Sequence, residues 1–154
     1  MPQYKEGKMD AKQFKFAVVA SRVNSIVTTP LLEGAVDALV RHGAVDRNIT
    51  VIKVPGSFEI PFAVKKAAQS GKYSAVIAIG SIIRGQTSHF DFLASEVSGG
   101  LCRAGTETGV PVTDGVVTTD TLEQAIERAG GKAGNRGKEA ALSAIEMASL
   151  LKSL

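Results

Sequence analysis

Hydrophobic positions along the chain fall alternately into short continuous runs and into runs with helical spacing. Four short runs predict β-strands: Phe14 to Ala20, Ile49 to Val54, Ser74 to Ile83 and Val110 to Thr118. Because helical patterns separate these runs, the chain is typical of repeated βα units with a parallel sheet. The third run is almost entirely apolar, so we expect a central strand covered on both faces. Asp114 and Gly115 interrupt the fourth run.

The segments between the predicted strands carry the residue patterns of helices. Thr29 as N-cap and Pro30 in the first helical position predict the start of the first helix, and Gly43 predicts its end. The other helices are expected from Pro61 to Gly71, from about Phe90 to Ala104, from a cap at Thr119 or Asp120 through Ala129, and from Lys138 to near Leu151. A glycine-rich link, Gly130 to Gly137, joins the last two.

These patterns predict an α/β fold: a three-layer sandwich with a mainly parallel four-stranded sheet, flavodoxin-like in type. With 154 residues and no visible repeat or linker, residues 1–154 suit a single domain with a substantial core. Residues 1–12 are expected to form an extended N-terminal segment.

Composition narrows the classes of function. The 18 basic and 15 acidic residues are interspersed, with no basic block among aromatics, so nucleic acid is not an expected partner. No apolar run is long enough for a membrane span and no signal-peptide core is visible, so a cytoplasmic location is expected. Cys102 is the only cysteine, which excludes an internal disulfide, and we expect it to be a packed thiol on a helix.

The loop after the third predicted strand carries the strongest candidate chemistry. Gly85 would let the backbone approach an anion closely, and Gln86, Thr87 and Ser88 supply hydrogen-bond donors. His89 can exchange a proton near neutral pH. A histidine at a helix start can also merely bond the backbone, but its place directly after this loop favours a proton-transfer role. The loop therefore predicts a site for a small phosphorylated substrate.

Other polar groups leave alternatives open. Glu59 is either a helix-start carboxylate stabilised by the helix dipole or, with the amides of Gly56 and Ser57, part of a site for a polyhydroxylated ligand. His42, at a helix end, is interpreted as structural.

Two arginines flank the glycine-rich link. Arg128 and Arg136 are either solvated helix-end cations or a phosphate clamp, for their own site or for that of a neighbouring subunit.

Two patterns are missing from the sequence. Neither a Walker A motif nor a glycine-rich dinucleotide motif occurs, and no cluster has metal-ligand spacing. We therefore expect no cofactor and no metal, and a reaction driven by binding, proximity and one proton shuttle.

From about Phe14 to Leu151 the chain resembles the 6,7-dimethyl-8-ribityllumazine synthase family of riboflavin biosynthesis. The segments that carry this resemblance are Val54 to Pro61 (VPGSFEIP), Ile83 to Asp91 (IRGQTSHFD), Thr121 to Gly130 (TLEQAIERAG), Gly134 to Gly137 (GNRG) and Ser143 to Ala148 (SAIEMA). Each could occur by chance, but their joint occurrence in this order is specific.

The resemblance implies an activity. The family condenses 5-amino-6-(D-ribitylamino)uracil with 3,4-dihydroxy-2-butanone 4-phosphate and releases phosphate. It implies that His89 transfers protons and that Arg128, with the backbone of Gly85, Gln86 and Thr87, holds the phosphate. The pocket for the ribityl chain and the pyrimidine would then be lined by Asn24, Gly56, Ser57, Glu59, Ile82 and Ile83.

The resemblance also implies a homo-oligomer. Family members build each site between adjacent subunits of a pentamer, so Arg128 would come from the neighbour. Some members assemble twelve pentamers into a 60-subunit icosahedral shell, and the compact link between the last two helices resembles theirs.

The chain departs from the family pattern at the pocket. Val23 stands where an aromatic residue usually precedes the asparagine, Asp114 replaces a second aromatic residue, and Arg136 replaces a common lysine. Losing one stacking platform is expected to cost about 1–3 kcal/mol of ring binding. Our hypothesis is that proton transfer and phosphate binding persist while affinity for the ring is reduced.

Two alternatives remain. One is a self-assembling shell scaffold of the same fold with weak or lost activity. The other is a flavodoxin-like module that binds a phosphate or a flavin without condensation.

Overall fold

A computed structural model describes all 154 residues of the chain. The strands are β1 (Phe16–Ser21), β2 (Ile49–Val54), β3 (Ala75–Ile83), β4 (Val112–Thr119), β5 (Ala129–Gly131) and β6 (Gly134–Asn135). The helices are α1 (Ser25–Arg41), α2 (Ile60–Gln69), α3 (His89–Thr108), α4 (Leu122–Glu127) and α5 (Arg136–Lys152). Single 3₁₀ turns, Asp46–Asn48 and Ser57–Glu59, precede β2 and α2.

The first four strands form one parallel sheet in the order β2-β1-β3-β4. One apolar cluster packs α1 and α5 against one face of this sheet, and a second packs α2 and α3 against the other. The predicted three-layer, flavodoxin-like α/β fold is therefore confirmed. The expectation for β3 is also confirmed, since this strand is inside the sheet and buried along nearly its whole length.

Strand β4 continues through the predicted interruption. Gly115 is buried, and a Cβ there would lie 2.6 Å from the carbonyl oxygen of Ala78. A glycine at this position therefore permits close packing rather than ending the strand.

The predicted start of the first helix is wrong. Helix α1 begins at Ser25, with Asn24 rather than Thr29 as the N-cap, and Pro30 lies inside it. Asn24 adopts a left-handed conformation (φ 59°), and its side-chain Nδ2 donates to the carbonyl oxygen of Ser81 at 3.0 Å. This tertiary contact starts the helix early. Pro30 is tolerated because proline removes a single backbone hydrogen bond, close to the helix N-terminus.

The predicted cap of the fourth helix is also wrong. Thr121, not Thr119 or Asp120, caps α4 through a reciprocal capping box with Gln124, and the helix ends at Glu127 rather than Ala129.

The glycine-rich link is more ordered than predicted. It folds into the antiparallel pair β5–β6, and Gly130 and Gly134 take positive φ angles of 104° and 85°. Asn135 caps α5 by accepting from the backbone N–H of Lys138 at 3.0 Å. Helix α5 therefore begins at Arg136, two residues earlier than predicted.

Cys102 is exposed on α3, so the prediction of a packed thiol is wrong. The buried residues of α3 are Phe90, Val97, Leu101 and Ala104, and position 102 falls off the face that they define. None of the helices combines the length and the apolar character needed to cross a bilayer.

Helices α1 and α5 pack closely because Gly137 has no side chain. A Cβ at Gly137 would overlap the carbonyl oxygen of Leu31, and one at Gly34 would overlap the side chain of Asn135. We expect Gly137→Ala to lower the free energy of unfolding by about 1–3 kcal/mol, because backbone atoms cannot give way as side chains do. Urea unfolding of the purified protein measures this change.

Gly99→Ala is the matched control within a helix. The nearest atom to a Cβ at Gly99 is the flexible side chain of Arg103, at 3.1 Å. This substitution is expected to maintain stability or to raise it by up to about 1 kcal/mol, since alanine favours a helix over glycine. Equal losses in the two variants would contradict the proposed close packing at Gly137.

Candidate active site

The carboxyl ends of the parallel strands meet at one edge of the sheet. Ser21 lies opposite Val54 across β1 and β2, and Ile83 lies opposite Thr119 across β3 and β4. The loops that follow β1, β2 and β3 carry most of the predicted site residues, and they leave from this edge. Such an edge is where ligands bind in open α/β sheets.

Asn24 links the loop after β1 to β3. Its Nδ2 donates to the carbonyl oxygen of Ser81, and it is the only residue other than glycine with a positive φ. Asparagine tolerates this conformation better than most residues. The sequence did not identify Ser81, because nothing local marks a partner 57 positions away.

Val23, Gly56 and Glu59 are neighbours at this edge. A Cβ on Gly56 would lie 3.5 Å from Oε1 of Glu59 and 3.6 Å from Cγ2 of Val23. Val23 is 47 % exposed, while Glu59 is half-buried. Two loops therefore form one small concave surface with a carboxylate on one side and an aliphatic side chain on the other.

Ser57, Ile82 and Ile83 line the base of this region. Ser57 is buried beside β3, since a Cβ on Gly80 would lie 3.5 Å from its Oγ. Ile82 is buried against the α2–α3 face of the sheet, and Ile83 packs partly buried against the α1–α5 face. The side chains of Ile82 and Ile83 therefore form a rigid apolar base at this edge of the sheet.

The loop after β3 is open to solvent. Gly85, Gln86, Thr87 and the side chain of His89 are all exposed, and His89 is the first residue of α3. The side chain of Ser88, at the N-cap, makes no capping hydrogen bond, while the backbone N–H of His89 donates to Oγ1 of Thr87 at 3.4 Å. Amides at a helix N-terminus attract anions.

Gly85 is not required by the folded chain. No atom lies within 4 Å of a Cβ built on this residue, and its φ is not in the left-handed region. Neither packing nor backbone conformation therefore explains a glycine here. Close approach by a molecule outside the chain does explain it.

Arg84 begins the same loop and is bound to two carboxylates. Its Nε donates to Oδ1 of Asp120 at 2.8 Å, and its Nη1 lies 3.5 Å from Oδ1 of Asp91. The hydrogen bond to Asp120 raises the pKa of Arg84 above its ordinary value. The sequence analysis missed this cluster. The register that places Ile83 opposite Thr119 is the signal that could have found it.

Arg128 and Arg136 lie together, at the two ends of the β5–β6 pair. The backbone N–H of Arg136 donates to the carbonyl oxygen of Arg128 at 2.8 Å, and both side chains are exposed. Neither forms a hydrogen bond or ion pair with residues 84–91. Arg136 instead lies 3.5 Å from Glu139.

Asp114 is exposed on β4 and contributes with Ile82 to a small cavity beneath α3. Its Oδ1 accepts the backbone N–H of Val116 at 2.8 Å. The carboxylate is thus placed close to the apolar base of the candidate site.

His42 has a backbone partner, as a structural role requires. Its Nδ1 lies 2.7 Å from the carbonyl oxygen of Ala38 at the end of α1. No group of three or more histidine, cysteine, aspartate or glutamate side chains is arranged to hold a metal ion.

The four-stranded parallel sheet with helices on both faces, and with a polar, glycine-containing loop and a histidine at its carboxyl edge, defines a flavodoxin-like α/β protein. The family model for 6,7-dimethyl-8-ribityllumazine synthase matches residues 13–152, nearly the whole chain. The chain therefore belongs to the 6,7-dimethyl-8-ribityllumazine synthase family, a family of transferase enzymes in riboflavin biosynthesis.

Gly85→Ala separates a requirement of the fold from a requirement of a ligand. The free energy of unfolding is expected to stay unchanged or to rise by less than about 1 kcal/mol, because alanine meets no atom and reduces the freedom of the unfolded chain. Affinity for inorganic phosphate, measured by titration calorimetry, is expected to fall because the methyl group occupies the approach to the backbone. Unchanged phosphate affinity, or a large loss of stability, would contradict this interpretation of Gly85.

Proposed function

We propose that the protein condenses 5-amino-6-(D-ribitylamino)uracil with 3,4-dihydroxy-2-butanone 4-phosphate to form 6,7-dimethyl-8-ribityllumazine. An amine of the pyrimidine attacks the ketone, and water leaves as an imine forms. Phosphate is then eliminated, the resulting enol tautomerises to a ketone, and the second amine attacks this carbonyl and closes the ring with loss of a second water. The observation that carries the proposal is the exposed loop from Gly85 to His89, which is open at Gly85 and adjoins the N-terminus of a 20-residue helix.

His89 is the proposed proton-transfer group. Its side chain is exposed and has no hydrogen-bonded partner within the chain, so the ring is accessible to a ligand. Elimination of phosphate needs a proton removed from carbon and one delivered to oxygen, and imidazole serves both purposes near neutral pH.

Arg128 is the proposed cation for the phosphate. Arg84 already has two carboxylate neighbours, whereas no carboxylate lies within 4.0 Å of the Arg128 guanidinium. Its Nη1 donates to the carbonyl oxygen of Gln124 at 2.9 Å, which neutralises no charge. Arg128 therefore has its full charge to offer a phosphate, and Arg136 is the proposed second contributor.

We propose that Arg128 and Arg136 act on the site of a neighbouring subunit in a homopentamer. Two observations support this. First, neither residue bonds the Gly85–His89 loop of its own chain. Second, about 70 % of the surface of three aromatic side chains, at the candidate site and on the α2–α3 face, is exposed. These are Phe58, Phe62 and Phe92, at 71 %, 70 % and 70 %. Such apolar exposure is typical of subunit interfaces. Pentamers of this kind would assemble further into a 60-subunit shell.

Reduced affinity for the pyrimidine is part of this proposal. Val23 offers an aliphatic surface where a ring would stack, and Asp114 adds a carboxylate near Ile82. These two residues also favour the second candidate function, a shell of the same fold with weak or lost activity. Mixing both substrates and recording the absorbance of the lumazine product decides between them.

His89→Gln tests the proton-transfer role. We expect kcat to fall about 100- to 10,000-fold, as is typical when a general acid–base is lost. The matched control is His42→Gln, which removes the other histidine from a helix end remote from the loop and should leave kcat unchanged. Equal effects of the two substitutions would contradict the assignment of His89.

Mixing variants tests whether two subunits share each site. His89→Gln and Arg128→Gln are each expected to be nearly inactive alone. If they are unfolded together and refolded as mixed pentamers, some sites receive an intact His89 from one chain and an intact Arg128 from the next. Activity should then return. Continued inactivity of mixed oligomers, with their mixing verified by mass spectrometry, would place both residues in one subunit's site.

A further inference from the structure

We propose that Arg84 is a positioning residue that closes the loop from Arg84 to Asp91 and thereby fixes the place of His89. The consequence for turnover rests on the proposed function. The mechanical part, that Arg84 orders the loop, does not.

The geometry of Arg84 joins three parts of the chain. Its backbone N–H donates to the carbonyl oxygen of Thr119 at 2.9 Å, and its Nε binds Asp120 at 2.8 Å. Its guanidinium also lies 3.5 Å from Asp91 and 4.4 Å from the centre of the Phe90 ring. One residue thus ties the start of the loop to the end of β4 and to the first turn of α3.

His89 lies between these anchor points. It directly precedes Phe90, and Phe90 is buried in the apolar cluster between the sheet and α3. The guanidinium therefore faces the buried ring at the start of α3, which packs in this cluster together with Leu93 and Ala94. Residues 85–88 are exposed, and their one side-chain hydrogen bond is local, from the N–H of His89 to Oγ1 of Thr87, so their conformation depends on the two ends.

Charge argues for positioning rather than for direct binding of an anion. The single positive charge of Arg84 is paired with the two negative charges of Asp91 and Asp120. A phosphate would have to displace these carboxylates and would then face both of them. By binding them, Arg84 also offsets charges that would repel an anion at the adjacent loop. The side chains are 46 %, 63 % and 66 % exposed, so the effect on overall stability is small.

Amide hydrogen exchange of His89 and Asp91, whose N–H groups donate to Oγ1 of Thr87 at 3.4 Å and to the carbonyl oxygen of Ser88 at 3.1 Å, tests the mechanical part in the full-length protein. Arg84→Gln is expected to speed exchange several-fold, and Arg84→Lys should give an intermediate rate, because lysine keeps the charge but lacks the fork that reaches two carboxylates. Arg41→Gln is the matched control, since it removes an arginine paired to Asp37 at 2.9 Å on an exposed helix. Exchange unchanged in Arg84→Gln would overturn the proposal.

Kinetics separate positioning from direct binding. If Arg84 positions the loop, Arg84→Gln lowers kcat on the order of tenfold or more, because small displacements of catalytic groups are costly. Asp120→Asn should then change exchange and kcat in the same direction. If Arg84 instead binds the phosphate, Arg84→Gln raises KM for the phosphorylated ketone with unchanged exchange, which overturns the proposal. A wild-type protein without turnover would refute the proposed function, while the exchange result would still decide the role of Arg84.

Discussion

Strand β3 pairs in parallel with β1 on one side and with β4 on the other, so the carboxyl ends of all three strands meet at one edge. Helices cover both faces of β3, which is why its sequence is almost continuously apolar. The loops after β1, β2 and β3 therefore leave the sheet close to one another. Asn24 ties the loop after β1 directly to β3 through the carbonyl oxygen of Ser81.

The arginines near the candidate site differ in whether a carboxylate pairs with them. Arg84 is held by carboxylates and serves the architecture of the loop, whereas Arg128 has no acidic partner within the chain. The loop after β3 is exposed at one place in the fold, and Arg128 presents a guanidinium without an acidic partner at another. Because no hydrogen bond or ion pair joins these two parts within a single chain, the proposed sharing of each site between two subunits makes catalysis depend on assembly.

Sequence patterns predicted the strands well because fully buried parallel strands are continuous apolar runs. The patterns did not predict the start of α1. Asn24 caps this helix because its side chain binds β3, and this contact outweighs the local helix-start signal at Pro30. The cap at Thr121 was readable from its spacing to Gln124 but was assigned too early. Arg84 and Asp120 are 36 positions apart, so register alone brings them together.

Val23 and Asp114, two of the three departures from the family pattern, differ in what the fold requires of them. Asp114 accepts the N–H of Val116 on β4, an outer strand of the sheet, and so satisfies a backbone donor that no neighbouring strand pairs. A carboxylate there also discourages another chain from adding to this edge. Asp114 thus has a structural reason within the chain. Val23 is exposed and nothing in the chain requires an aliphatic residue there, so the needs of the fold do not explain it.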